Sequence, residues 1–228
     1  MSVPNIPVTR LARMQEAGLI AVIRADRADV AVRIAGALLE GGVPAVELTF
    51  STPGAASAIA EVRKTFGDNV LVGAGTIRQL SHVEAAVRAG AQFLVTPHLQ
   101  PDLLRAMLAT NLPVVPGVLT PSEVALALDE GAEVVKLFPA SLGGPKYLRT
   151  LRGPFPELQV IPTGGIGIAD LASWFKAGAL AVGIGSEIAP RELVQDGRWA
   201  EITRLAAEFA AIARAARTAT EASTRVQA

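Results

Sequence analysis

Lys136 and Glu47 are the residues of this chain whose types and settings point first to chemistry. Lys136 is one of only four lysines, against seventeen arginines. It lies inside an apolar, strand-like run, Glu133-Val134-Val135-Lys136-Leu137-Phe138-Pro139. Burial among such neighbours disfavours the charged form of an amine and favours the neutral, nucleophilic form that attacks a carbonyl. The competing reading is a strand-end lysine whose ammonium reaches solvent along its alkyl stem. Glu47 sits in a second such run, Ala45-Val46-Glu47-Leu48-Thr49. If Val46 and Leu48 face outward, the period of two along a strand turns Glu47 inward, and the same alternation around Val135 and Leu137 turns Lys136 inward. A carboxylate and an amine facing each other in an enclosed site are the minimum for imine chemistry; the alternative is a buried structural ion pair.

Those two side chains need a scaffold that brings distant strands together. Short β-branched runs alternate with Ala-rich stretches along the whole chain. The expected strands are Ile20–Arg24, Ala45–Thr49, Leu71–Ala74, Phe93–Thr96, Val114–Val118, Val134–Phe138, Val160–Thr163 and Ala181–Ile184. Between them lie helical patterns such as Val30–Leu39, Ala55–Phe66, His82–Ala89, Pro101–Ala109, Ser122–Asp129 and Leu171–Ala177, several closed by glycine as a helix C-terminus prefers. Eight strand–helix units in this length predict an α/β fold, a (β/α)8 TIM barrel forming a single domain over residues 1–228. An extra helix, Thr9–Ala17, precedes the first strand and is expected to plug the barrel bottom. The last helix is expected over Trp199–Arg217, with 218–228 as a polar, flexible tail.

A barrel carries its chemistry at the C-terminal ends of its strands. Glu47 and Lys136 fall on the second and sixth strands, both even-numbered, and alternate strands fill a common interior layer. After the seventh strand comes Pro162-Thr163-Gly164-Gly165-Ile166-Gly167, and the eighth runs through Val182-Gly183-Ile184-Gly185-Ser186. Glycines let backbone N–H groups approach an anion, and these two loops are where barrels commonly hold a phosphate. Arg24 ends the first strand and could clamp a carboxylate; the alternative is an arginine that caps a surface loop. Thr76 ends the third, and Thr96-Pro97-His98 the fourth.

Composition narrows the class further. Lysine plus arginine and aspartate plus glutamate are both 21, so no nucleic-acid or membrane surface is expected. There is no cysteine, hence no disulfide or thiolate metal site, and His82 and His98 lack metal-ligand spacing. Met1–Pro7 has neither the basic start nor the apolar core of a targeting signal, and a cytoplasmic location is expected.

Taken together, Val72-Gly73-Ala74-Gly75-Thr76, Thr96-Pro97-His98, Val135-Lys136-Leu137-Phe138-Pro139-Ala140, Arg152-Gly153-Pro154-Phe155-Pro156 and Pro162-Thr163-Gly164-Gly165-Ile166 resemble the 2-keto-3-deoxy-6-phosphogluconate aldolase family. That family also contains 4-hydroxy-2-oxoglutarate and 2-keto-3-deoxy-6-phosphogalactonate aldolases. The resemblance spans residues 10 to 215. It implies a cofactor-free, metal-free class I aldolase of the Entner-Doudoroff type, a homotrimeric (β/α)8 barrel acting on a small keto-acid phosphate. By the same resemblance Lys136 is the Schiff-base lysine and Glu47 the general acid/base. Thr76, Pro97, Phe138 and Thr163 line the substrate, and Gly164, Gly165, Gly185 and Ser186 take its phosphate. Some members bind the pyruvyl carboxylate with an arginine four residues after the glutamate; Ser51 stands there here, and the role passes to Arg24, as in other members. Thr163 matches the gluconate-type pattern, where galactonate-type relatives resemble a valine. The rival readings are the two sister aldolases, a phosphosugar isomerase or epimerase using Glu47 for proton transfer, and a non-catalytic sugar-phosphate-binding barrel.

Overall fold

The computed structural model describes residues 10–227. Met1–Pro7 and Thr9, for which expectations are stated above, lie outside the described residues. Helix α1 (Arg10–Ala17) leads into β1 (Leu19–Ile23), α2 (Ala28–Glu40), β2 (Ala45–Thr49), α3 (Ala55–Phe66) and β3 (Leu71–Gly75). Then come α4 (Leu80–Arg88), β4 (Leu94–Val95), α5 (Pro101–Leu108), β5 (Val114–Val115), β6 (Gly117–Val118) and α6 (Pro121–Asp129). The chain continues through β7 (Val135–Leu137), α7 (Gly144–Leu151), β8 (Val160–Pro162), α8 (Leu171–Lys176), β9 (Val182–Ile184), α9 (Arg191–Gln195) and α10 (Trp199–Gln227).

All strand pairings are parallel, in the orders β5-β4-β3-β2-β1-β9 and β6-β7-β8. The two runs join at both ends. Pro116 alone separates β5 from β6, and Thr163, just beyond β8, bridges Gly183 of β9. The result is a closed eight-stranded TIM barrel in which β5 and β6 together form the fifth strand.

That fifth strand was expected to run unbroken over Val114–Val118. Pro116 has no N–H to donate, so the ladder breaks there. Its carbonyl still accepts from the Lys136 N–H at 2.8 Å, which ties β7 into the sheet beside the break. The last helix also differs from expectation, running on past Arg217 to Gln227. This stretch has no glycine or proline, and Thr218 and Thr220 back-bond to the carbonyls of Arg214 and Ala216, so helix continues where no apolar stripe signals it.

Two apolar shells follow from strand alternation. Outward positions such as Val46, Leu48, Val72, Val135, Leu137 and Ile184 pack against the helices. Inward positions near the strand starts, Ile20, Ala45, Leu71, Phe93 and Ala181, close around Met14 of α1, which is wholly buried. The leading helix thus seals the N-terminal end of the barrel with an adaptable thioether side chain, and polar chemistry is confined to the opposite end. Among the described residues no helix is long and apolar enough to cross a membrane.

Candidate active site

Glu47 and Lys136 meet inside the barrel. Glu47 is in register with Val22 and Gly73, and Lys136 with Gly117 and Ile161. Their strand neighbours belong to the outer shell, so both side chains project inward as alternation requires. Lys136 Nζ lies 3.5 Å from Glu47 Oε1, with the two side chains only 7% and 4% exposed. This is an ion pair without a formed hydrogen bond, because the buried Glu47 Oε1 accepts none. A carboxylate oxygen left uncommitted beside an amine keeps its capacity to exchange a proton with a third group. Lys136 Nζ also stands 5.2 Å from the centroid of the Phe138 ring, within cation–π range.

The cleft around the pair is small and enclosed, with Met14 and Ile20 below and Thr163 and Gly183 beside it. Its space is created by missing side chains. A Cβ on Gly75 would overlap the Glu47 carboxylate, one on Gly73 the Phe93 ring, and one on Gly183 the Thr163 hydroxyl. Thr76, Pro97 and Phe138, all partly buried, follow β3, β4 and β7 at the same end. Thr76 holds φ at +54°, a costly conformation for a β-branched residue and one that clusters at functional sites. At the start of α4, His82 stacks on Phe50 at 4.8 Å between centroids; burial first, then the charge of Arg78, holds its pKa below the usual histidine value.

The glycine loops lie at the same end. Gly164 and Gly165 have φ of +96° and +69°, which glycine alone adopts without strain. A Cβ on Gly165 would also come to 2.9 Å from the Cβ of Ser141. The loop is laced to the segment after β7 by the Ala140 N–H donating to Thr163 O at 2.9 Å and the Ser141 N–H to Gly164 O at 3.1 Å. Among the described residues, no protein acceptor takes the backbone N–H of Gly165, Gly185 or Ser186. Backbone N–H groups without a protein acceptor on two such loops are of the kind that can hold an anion.

Arg24 lies just beyond the C-terminal end of β1, in strand phase with Ile20 and Val22. It is exposed and lines a cavity of about 600 Å³ together with Ser186 and Arg191, whereas Lys136 and Glu47 line the small enclosed cleft. Ser51 is exposed, and its hydroxyl pairs with the Thr49 hydroxyl at 2.8 Å.

Residues 11–205 match the family described as KDPG and KHG aldolase. The chain belongs to that family. As a KDPG and KHG aldolase it is a lyase, and its relatives are similar over most of their length. The 2-dehydro-3-deoxy-phosphogluconate aldolase of Haemophilus influenzae is 36% identical over 86% of this chain and 92% of its own. The 2-dehydro-3-deoxy-6-phosphogalactonate aldolase of Escherichia coli is 34% identical over 75% of this chain and 83% of its own. A crystal structure of the KDPG aldolase of Legionella pneumophila, with pyruvate captured as a covalent carbinolamine intermediate, superposes with a TM-score of 0.82 at 33% identity, covering 87% of this chain and 97% of that one.

In this KDPG and KHG aldolase, Gly73, Gly75 and Gly183 belong with the site although they were not among its expected residues. The signal was present: each occupies the inward phase of a strand, where a missing side chain leaves room for a larger one opposite.

Proposed function

We propose that the protein is a class I aldolase that cleaves 2-keto-3-deoxy-6-phosphogluconate to pyruvate and D-glyceraldehyde 3-phosphate, with Lys136 as nucleophile and Glu47 as general acid/base. The observation that carries this reading is the buried amine 3.5 Å from a carboxylate oxygen that accepts no hydrogen bond. Lys136 Nζ adds to the C2 carbonyl, and loss of water gives a protonated imine. The C3–C4 bond then breaks, its electron pair moving to the imine nitrogen as an enamine forms. Glu47, through a water, takes the C4 hydroxyl proton, and the aldehyde phosphate leaves. Glu47 returns a proton to C3, and water hydrolyses the imine to free pyruvate and the amine. Every step uses side chains, water and substrate, and none calls on a cofactor.

The remaining roles follow the same reading. Thr76, Pro97, Phe138 and Thr163 border the keto acid, and Gly164, Gly165, Gly185 and Ser186 take its phosphate, a role that the unclaimed N–H groups of the last three support. By the family resemblance the enzyme works in the cytoplasm, in the Entner-Doudoroff route, as a homotrimer, for which light scattering should give three times 23.6 kDa.

A second reading takes the C4 epimer as substrate, favoured by the 34% identity to the galactonate-type enzyme, while Thr163 favours the gluconate type. Assaying cleavage of both epimers and of 4-hydroxy-2-oxoglutarate decides among them. Borohydride reduction in the presence of pyruvate, followed by intact mass, tests the whole proposal: a covalent adduct is expected, and a protein that stays unmodified is no Schiff-base aldolase.

A further inference from the structure

Positive charge gathers at the end of the barrel opposite the Lys136–Glu47 pair, where the proposed chemistry has no use for it. Two cavities of about 360 Å³ each open there, beside the residues that start the strands: Pro44 and Leu71 line one, Gln159 and Leu180 the other. Arg217 of α10 lines both. The first cavity also takes Arg13 of α1 and Arg214 of α10, with Glu16 as its one carboxylate. Among the described residues none of these three guanidiniums forms an ion pair, with Glu16 or with any other acid. Arg13 and Arg217 each donate to a backbone carbonyl, that of Asp68 at 2.6 Å and that of Glu16 at 2.7 Å. A carbonyl engages one N–H of a guanidinium and leaves its charge unneutralised.

Glycines make room for these cations. Gly18 and Gly178 hold φ at +68° and +90°. A Cβ on Gly18 would come to 2.8 Å from Arg217 Nη1, and one on Gly178 would overlap the guanidinium of Arg152, which lines the second cavity beside Arg217. Arg152 donates from one nitrogen to the carbonyls of Leu158 and Gly178 at 3.0 and 2.7 Å, while its buried Nε has no protein acceptor among the described residues. A fourth guanidinium therefore adds to the positive field at this end. Capping the C-terminus of α1 explains the contact of Arg217 with the Glu16 carbonyl. It does not explain Arg214, whose guanidinium makes no hydrogen bond among the described residues and lies with Nη1 3.4 Å from where a Cβ on Gly42 would stand. Like charges around one opening repel, so three guanidiniums against one carboxylate favour a bound anion.

We propose that the cavity between α1 and α10 is a binding site for a small polyanion, a compound with two or three negative charges on carboxylate or phosphate groups, held by Arg13, Arg214 and Arg217. The surplus of guanidiniums over the single Glu16 carboxylate sets the charge of the ligand. Its size follows from the volume, which falls at the small end of the roughly 300–1,000 Å³ usual for small-molecule sites and exceeds what one monatomic ion fills. Arginine suits the task because its planar fork can donate two hydrogen bonds to one carboxylate or phosphate group. Lys136 and Glu47 line a different cleft, at the other end of the barrel, so the ligand is not the reacting keto acid. Its occupancy ties α1, which carries the Met14 plug, to the last helix.

The test is isothermal titration of the full chain with citrate and with pyrophosphate, at an ionic strength held constant with sodium chloride and with glycerol as the uncharged control. Saturable binding of at least one anion is expected, with the melting temperature raised by about 2–5 °C at a tenfold excess of free ligand over Kd. The tighter of the two identifies the groups the site prefers. Arg214→Ala should raise that Kd by about tenfold or more, as one charge-assisted contact is lost. Glu16→Gln should lower it by removing the opposing charge. Neither side chain holds another part of the fold, so melts without ligand should place both variants within about 2 °C of wild type. The proposal is overturned by an absence of saturable binding of either anion below about 10 mM, or by a Kd unchanged within about twofold in Arg214→Ala. An equal rise in melting temperature in Arg214→Ala also overturns it, since anions excluded from a protein surface stabilise any fold in that way.

Discussion

At the scale of single residues, the buried contact between Lys136 and Glu47 bears on stability as well as on the proposed chemistry. Taking one member from a buried ion pair leaves the other charge uncompensated, at a cost of about 3–5 kcal/mol. Lys136→Ala is therefore expected to lose all turnover and all borohydride-trapped pyruvate, and also to melt at lower temperature. Combining it with Glu47→Gln should restore much of the melting temperature and none of the activity, because the pair is coupled. Trapped pyruvate in Lys136→Ala would transfer the nucleophile to Lys64, Lys146 or Lys176. Glu47→Gln alone keeps the amine, so imine formation should persist while cleavage falls by roughly 10²- to 10⁴-fold, the usual contribution of a general acid/base. Cleavage close to the wild-type rate would remove Glu47 from that role.

At the scale of elements, β3 matters for what it lacks. Its inward positions Gly73 and Gly75 give their space to Phe93 and to the Glu47 carboxylate. In Gly75→Ala the new methyl must displace that carboxylate, and a misplacement near 1 Å can cost about 10²-fold in rate. We expect a kcat loss of that order with pyruvate trapping largely kept, plus about 1–3 kcal/mol of overpacking strain in denaturant melts. A variant with wild-type kcat would show that the carboxylate has room to retreat. The strands that carry Glu47 and Lys136 were legible because alternation is a property of a few adjacent residues. The break at Pro116 was legible in principle, since proline cannot donate to a ladder, yet an apolar run of the right length masked it. Beyond Arg217, the missing apolar stripe hid a helix supported by composition alone.

At the scale of the whole molecule, barrel closure separates stability from chemistry. Met14 fills the closed end beneath the site and is fully buried among Ile20, Ala45, Leu71 and Phe93. Met14→Ala should cost about 2–5 kcal/mol, as buried methionine truncations do. It should lower the melting temperature well before it lowers kcat, because the Lys136–Glu47 pair is held by β2 and β7 rather than by α1. Parallel losses in stability and kcat would mean instead that the plug positions the amine.

The sequence by itself determined the alternating pattern, hence the barrel class, the inward phase of Glu47 and Lys136, and the positive-φ glycines after β8. Each depends on residues close together in the chain, through the two-residue repeat of a strand or the conformational freedom of glycine. Only the tertiary structure decided that the two side chains stand 3.5 Å apart across the barrel. The same holds for the fit of Gly75 against Glu47, and for Arg24 sharing a cavity with Ser186 and Arg191. These relations join residues far apart in sequence, and they are set by how a twisted parallel sheet closes on itself and how its loops then pack, which no local pattern encodes.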